Sequence, residues 1–234
     1  MNLKFEEPVI EVIKRAHNVK SFRFKKPEAF DYKAGQYVTV TLNSNGKKLS
    51  RAFSLSSSPT EKNHLEFTKK LTGHEFSNML DAMVVGDTAL ISGPFGKMTF
   101  EGEYEKMALL SGGIGITPMI SICKYCTDMK LSTNIILLCS DKAEQDMIFT
   151  EELEEMQKQN PNLTVFNTLT RASENWKGCR ERICESMILR ELPDYAERIF
   201  YVCGPPPMVD SMMEMLHDMK IPDSMISKEA LIGY

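Results

Sequence analysis

Residues 109–118 read Leu-Leu-Ser-Gly-Gly-Ile-Gly-Ile-Thr-Pro, an order suited to holding a phosphate or pyrophosphate. An apolar run over 107–110 stops at Ser111 and Gly112, and a helical pattern follows Pro118. Glycines let the backbone come close to a ligand, and the unpaired N–H groups of a helix start point at its charge. The segment is not a Walker loop, because no Gly-Lys-Ser/Thr follows, and its spacing is not G-x-G-x-x-G. Taken alone it also fits a tight turn before an ordinary helix. A second candidate is Arg51-Ala52-Phe53-Ser54. Its guanidinium offers a planar fork for phosphate, its aromatic ring can cover a flat ligand, and its hydroxyl can hydrogen-bond. An ordinary strand explains the same four residues. A third is Gly73-His74-Glu75-Phe76-Ser77, whose backbone amides and Ser77 hydroxyl could hold a pyrophosphate, with Glu75 also read as helix N-terminal dressing.

Composition narrows the setting. The 234 residues allow one large domain or two ordinary ones, and 42% hydrophobic with 26% charged residues describes a soluble folded chain. A formal net charge of -4 argues against nonspecific nucleic-acid binding. No apolar stretch is long enough to span a bilayer and the first residues are not a secretory leader, so a cytoplasmic location is expected. Cys123 and Cys126 form a CxxC, but no second close pair completes a four-thiolate site, and both fall on one face of the helix expected after Pro118. The four histidines lack metal-ligand spacing, so no metal is expected. The sixteen methionines are read as core and interface filler.

Two periodicities must position these segments. Over the first hundred residues, short alternating runs at 9–12, 19–24, 37–42, 52–55, 65–68 and 88–91 read as strands. They are separated by turn signals that include Gly86-Asp87 and Gly93-Pro94. Without intervening helices they predict an antiparallel β-barrel, with one short helix at 75–83 across its end. After Gly102, strands at 106–110, 133–139, 163–169 and 199–203 alternate with helices at 119–129, 148–159, 183–189 and 207–219. That alternation predicts a parallel sheet with right-handed crossovers. The chain is therefore read as two domains, 1–101 and 102–234. Asp146 is expected to cap the 148–159 helix, and Tyr37 is read as core and not as a ligand.

Five segments in register resemble the ferredoxin–NADP⁺ reductase-like flavoproteins, which include cytochrome b5 reductase, flavodoxin reductases and the reductase components of oxygenases. They are Arg51-x-Phe53-Ser54, residues 73–77, Gly93-Pro94-x-Gly96, Gly112-Gly113-x-Gly115-x-Thr117-Pro118, and Cys203-Gly204-Pro205-Pro206. The resemblance covers almost the whole chain. It implies a flavin-binding β-barrel domain followed by an α/β domain for a nicotinamide nucleotide. It also implies hydride transfer from NADPH or NADH to FAD, preferred to FMN, then electron transfer to a ferredoxin, flavodoxin or cytochrome type of partner, or to a small molecule. The different-class alternative is a non-catalytic flavin-binding subunit or nucleotide-sensing module.

The resemblance assigns roles residue by residue. Arg51 would contact a flavin phosphate, with Ala52 beside it. Phe53 would pack by the flavin, where the family usually has tyrosine, and Ser54 would hydrogen-bond near the reactive N5. The 66–70 stretch, with Thr68 and Lys69, would line the diphosphate side, and Gly73, Phe76 and Ser77 would complete it. Gly112, Gly113, Gly115, Thr117 and Pro118 would admit the nucleotide. Cys203, with Gly204 and Pro205, would lie near the nicotinamide C4 and orient it, or be a buried small hydrophobe. Glu229 matches a carboxylate near both rings, or is a surface group. Ser54, Cys203 and Glu229 are the candidates for catalytic residues. Tyr234 matches a terminal aromatic that stacks on flavin, or is a plain terminus. Thr170-Arg171 resembles the 2′-phosphate pair of NADPH users, with Arg180 and Arg182 adding charge, whereas Asp141 and the 168–176 stretch also fit NADH users. The usual Gly-x-x-Gly after the tryptophan is replaced by Gly178-Cys179-Arg180-Glu181.

Overall fold

A computed structural model describes residues 2–44 and 46–231. Tyr234 and its expected stacking role lie outside the described residues. Six antiparallel strands form the first sheet: β1 (Leu3–Ala16), β2 (Val19–Lys25), β3 (Tyr37–Ser44), β4 (Lys47–Ser54), β5 (His64–Lys70) and β6 (Thr88–Phe95), in the order β4-β3-β6-β1-β2-β5. The two outer strands approach each other through a bridge between Leu55 and Phe67, so the sheet curls into a barrel. Phe22, Phe24 and Phe53 all stack on Phe67, with centroids 5.4, 5.7 and 4.7 Å away. Such pairs add about 0.5–1.5 kcal/mol each beyond the area they bury. Helix α1 (Glu75–Asp81) closes one end through buried Phe76 and Leu80.

Two expectations about these strands change. β4 starts at Lys47, five residues before the apolar pattern begins, because its first half is exposed and is held by pairing with β3. Gly93-Pro94 does not end a strand. Both residues lie within β6, where the register against β3 slips between Tyr37↔Phe95 and Thr39↔Ser92. That irregularity is a place where a strand tolerates proline.

The second sheet is parallel, in the order β11-β10-β7-β8-β9. Its elements are β7 (Lys106–Gly112), α2 (Ile116–Asp128), β8 (Asn134–Asp141), α3 (Thr150–Gln159), β9 (Leu163–Leu169), α4 (Glu185–Glu191), β10 (Ile199–Gly204), α5 (Pro206–Asp218) and β11 (Ile226–Ala230). Met107 and Leu109 pack with α2 and α3 on one face, Ala108 and Leu110 with α4 and α5 on the other, which explains their unbroken apolar run. The connection reverses direction between β7 and β10, so the carboxyl ends of those strands form a crevice of the kind that binds ligands in open α/β sheets. Cys123 and Cys126 are buried on α2 against the sheet. Among the described residues, no helix is long and apolar enough to cross a membrane.

Three local expectations are corrected here. α2 begins at Ile116 after a 3-10 turn over Gly113–Gly115, so Pro118 sits inside its first turn. Asp146 does not cap α3. It ends a separate 3-10 turn, and Phe149 takes the cap position with φ 61°. β10 is not the last strand, because β11 adds beside it with Cys203 opposite Glu229.

Candidate functional site

A cleft of about 590 Å³ opens between the barrel and the end of β11. That volume lies within the roughly 300–1,000 Å³ of ordinary ligand pockets. β4 supplies Arg51, Ala52, Phe53 and Ser54, β5 supplies Lys69, the entry to α1 supplies His74, Glu75, Phe76 and Ser77, and the chain end supplies Glu229 and Leu231. Pairing with β3 holds β4 in register, Tyr37 opposite Ser54 and Val38 opposite Phe53. Phe53 is almost fully buried, its ring stacked between Phe67 and Phe76. Arg51 lies 5.9 Å from the Phe76 ring and is exposed.

The cleft wall carries two cations, Arg51 and Lys69, together with the carboxylates Glu75 and Glu229. Burial, with the charge of Arg51 adding to it, pushes the Lys69 ammonium down to about 8. An anion held there would further favour its charged form. Ser54 is 4% exposed, and its Oγ has no hydrogen-bond partner among the described residues. A buried orphan hydroxyl on a cleft wall is the observation expected of a group reserved for a ligand. The Ser77 Oγ accepts a hydrogen bond from the Thr72 backbone N–H at 2.9 Å, which leaves its own proton to donate. Burial pushes the Glu229 carboxyl up.

The structure separates some residues that the sequence grouped. The Thr68 Oγ1 lies 2.7 Å from Ser21 Oγ and 2.9 Å from Ser56 Oγ, so it turns away from the cleft. Glu66 also turns away, toward Arg15 and Arg23. Of the 66–70 stretch, Lys69 alone is on the cleft wall. Gly73 has φ 77° and separates two cleft residues, Thr72 and His74, without being one itself. Tyr37, read as core, lines the cleft while its ring contacts Phe95 at 5.7 Å. Leu49, Thr72, Ala230 and Leu231 were missed as well. Of these, only Thr72 carried a signal, the turn glycine Gly73 that follows it.

The second half of the site is the 112–118 turn at the crevice. A Cβ at Gly115 would fall 2.2 Å from the Cys203 carbonyl oxygen, and one at Gly112 would meet the Met208 side chain. These two glycines answer to close packing on β10 and α5. Gly113, at φ 52° with open space around it, is the one that faces outward. Thr117 Oγ1 donates to the Ile114 carbonyl at 3.0 Å and steadies the turn. Gly115 takes the N-cap position of α2 with no side-chain cap, and the Ile116 N–H donates to the Gly113 and Ile114 carbonyls of the 3-10 turn. Cys203 is fully buried, in register with Ser111 on one side and Glu229 on the other. Burial, and the Glu229 charge, hold its thiol well above the ordinary value. It is therefore a neutral packing group at neutral pH.

Comparison with known proteins places this geometry. A model described as the oxidoreductase FAD-binding domain matches residues 6–100, and one described as the oxidoreductase NAD-binding domain matches 109–214. The chain belongs to the ferredoxin–NADP⁺ reductase-like flavoproteins. It carries that family's FAD-binding and NAD(P)-binding domains. It is 30% identical over 215 residues to the glycine betaine monooxygenase reductase subunit of Chromohalobacter salexigens, covering 88% of this chain and 58% of that one. It is 28% identical over 241 residues to NADH-cytochrome b5 reductase 2 of Xenopus laevis, covering 89% and 81%. The fold is shared with the cytochrome b5 reductase domain of Ulva prolifera nitrate reductase, with a TM-score of 0.85, 24% identity and 97% of both chains covered.

Within this flavoprotein fold, Thr170 and Arg171 follow β9 and are exposed, their backbone N–H groups donating to the Asp141 and Lys142 carbonyls at 3.0 and 2.7 Å. Burial, then the neighbouring Asp146, push the Asp141 carboxyl up to about 7, opposed by Lys70. Arg180 does not extend the charge of Arg171. Its Nη2 donates to the Ser173, Glu174 and Trp176 carbonyls and closes the loop on itself. Gly178 leaves room for the Trp176 ring, 2.7 Å from where a Cβ would stand.

Proposed function

We propose that this chain is an NAD(P)H-dependent flavin reductase that uses FAD and passes electrons to a separate redox protein. The observation that carries the reading is the cleft wall itself. Ser54 with its orphan hydroxyl, Arg51, Lys69 and the β11 residue Glu229 all line one cleft. The residues present fit a flavin nucleotide. Arg51, Lys69 and Ser77 would hold the diphosphate, Tyr37 would flank the ring with Phe53 packed behind it in the barrel wall, and Ser54 would supply a hydrogen bond to it. FAD would supply a ring able to take a hydride and release its electrons singly.

The remaining work belongs to the chain. The 112–118 turn, with Gly113 open to the crevice, receives the nucleotide phosphates. Cys203, buried and neutral, packs behind the crevice and would orient the nicotinamide only through the backbone it holds, while Glu229 borders the cleft from β11. No general base is needed, so these residues act by alignment and exclusion of water. Arg171, exposed beside Thr170 at the end of β9, supports NADPH over NADH, because a guanidinium there could pair with a 2′-phosphate. The names of the relatives, a monooxygenase reductase subunit and cytochrome b5 reductases, support a protein as acceptor.

The test is equilibrium binding of FAD and of FMN to the flavin-free protein, followed by acid release and mass measurement of the flavin retained from cells. Tighter FAD binding and release of FAD are expected. Release of FMN, or retention of no flavin together with failure to bind either, contradicts the proposal.

A further inference from the structure

The barrel and the nucleotide-binding sheet meet at a buried ionic cluster that the reading above does not use. Arg15 of β1 donates to Glu66 of β5 at 3.3 Å and to Glu152 of α3, and its Nε donates to Ser21 at 2.8 Å. Arg15 is 11% exposed and Glu66 1%. Arg23 adds a second guanidinium on Glu66 at 2.8 Å. Burial alone would push the Glu66 carboxyl up, but Lys124, Arg15 and Arg23 outweigh it and hold the group ionised. Phe149, held at φ 61°, has its ring under Arg15 at 4.6 Å and Lys124 at 5.3 Å. A bulky residue keeps that backbone conformation where its surroundings fix it.

The cluster reaches both halves of the proposed site through single rigid elements. On β5, Glu66 and Thr68 face the cluster, while Phe67 stacks under Phe53 and Lys69 lines the cleft. On α2, Ser121 Oγ donates to the Ser57 carbonyl at 2.6 Å and Lys124 Nζ to the Ser56 carbonyl at 3.2 Å. These two pins stand one turn apart, on the helix that starts at the 112–118 turn. A displacement at the joint therefore moves that turn relative to the cleft.

We propose that Arg15, bridging Glu66 and Glu152 beside Phe149, is a positioning residue that sets where the nucleotide turn stands over the flavin cleft. The inference rests on the reductase reading for its kinetic consequence, though not for its structural one. A guanidinium fork can serve both carboxylates at once, whereas an ammonium is a point charge on a flexible stem. The variants are Arg15→Lys, which keeps the charge, and Glu152→Gln, at a side chain one-third exposed and tolerant of change.

Amide hydrogen exchange on the flavin-free variants is expected to quicken across 112–118 while the strands of the barrel keep their protection. With FAD bound, the limiting rate of flavin reduction at saturating NAD(P)H is expected to fall about tenfold or more, because reacting groups must stay within a fraction of an ångström. Flavin affinity and reduction by dithionite should stay at wild-type values, which a general loss of stability would not leave intact. Unchanged exchange at 112–118 in both variants overturns the inference. So does an Arg15→Lys protein with the wild-type limiting rate. If exchange quickens but the wild type itself is not reduced by either nucleotide, the reductase reading fails and the positioning inference stands.

Discussion

Ser54 carries a buried hydroxyl with no partner among the described residues. Leaving such a group unsatisfied costs about 1–3 kcal/mol. Ser54→Ala is therefore expected to leave the unfolding midpoint of the flavin-free protein unchanged or higher, while nucleotide-driven flavin reduction slows by roughly tenfold to a hundredfold. Thermal unfolding and anaerobic stopped-flow absorbance read the two effects separately, and a less stable variant with an unchanged rate contradicts the assignment. Asp141 gives a pH signature. Its folded-state carboxyl holds a proton up to about 7, above the ordinary value, so the folded state binds more protons than the unfolded one in that window. Stability from this group falls as pH rises through the window. Asp141→Asn should match the wild type near the ordinary carboxylate value and exceed it at pH 8, by at most roughly 4 kcal/mol. Denaturation curves at the two pH values check it.

At the scale of elements, the 112–118 turn divides its glycines between packing and openness. Gly115→Ala would press a methyl into the Cys203 carbonyl and the Gly204 Cα, both backbone atoms that cannot yield cheaply. It is expected to cost about 3 kcal/mol. Gly113→Ala meets nothing, and should cost only the left-handed backbone strain of about 1 kcal/mol. Equal losses in urea denaturation would contradict this division. The same turn shows what could be read from the chain. The strand-to-helix order and the existence and order of the barrel strands are local patterns, and they could be read from the chain even where their bounds shifted. What escaped depends on pairing or distance. The first half of β4 and all of β11 are polar or exposed edge segments held by a neighbour, with no apolar alternation to reveal them. Thr68 has the right position on β5 but the wrong face. The Arg15–Glu66–Glu152 bridge joins residues from three distant segments, and no spacing rule brings them together.

The whole molecule is two sheets whose functional edges converge. The barrel presents Ser54, Arg51 and Lys69, and the parallel sheet presents its β7 and β10 ends with Cys203 between Ser111 and Glu229. The proposed function uses this convergence, with a nucleotide at one edge passing electrons to a flavin at the other. The most direct measurement is anaerobic mixing of the FAD-loaded protein with NADPH and with NADH, followed by the visible absorbance of the flavin. Bleaching by a nucleotide, faster with NADPH than with NADH, and recovery of the colour when ferricyanide is added are predicted. A flavin that stays yellow with both nucleotides, yet bleaches with dithionite, would contradict the account.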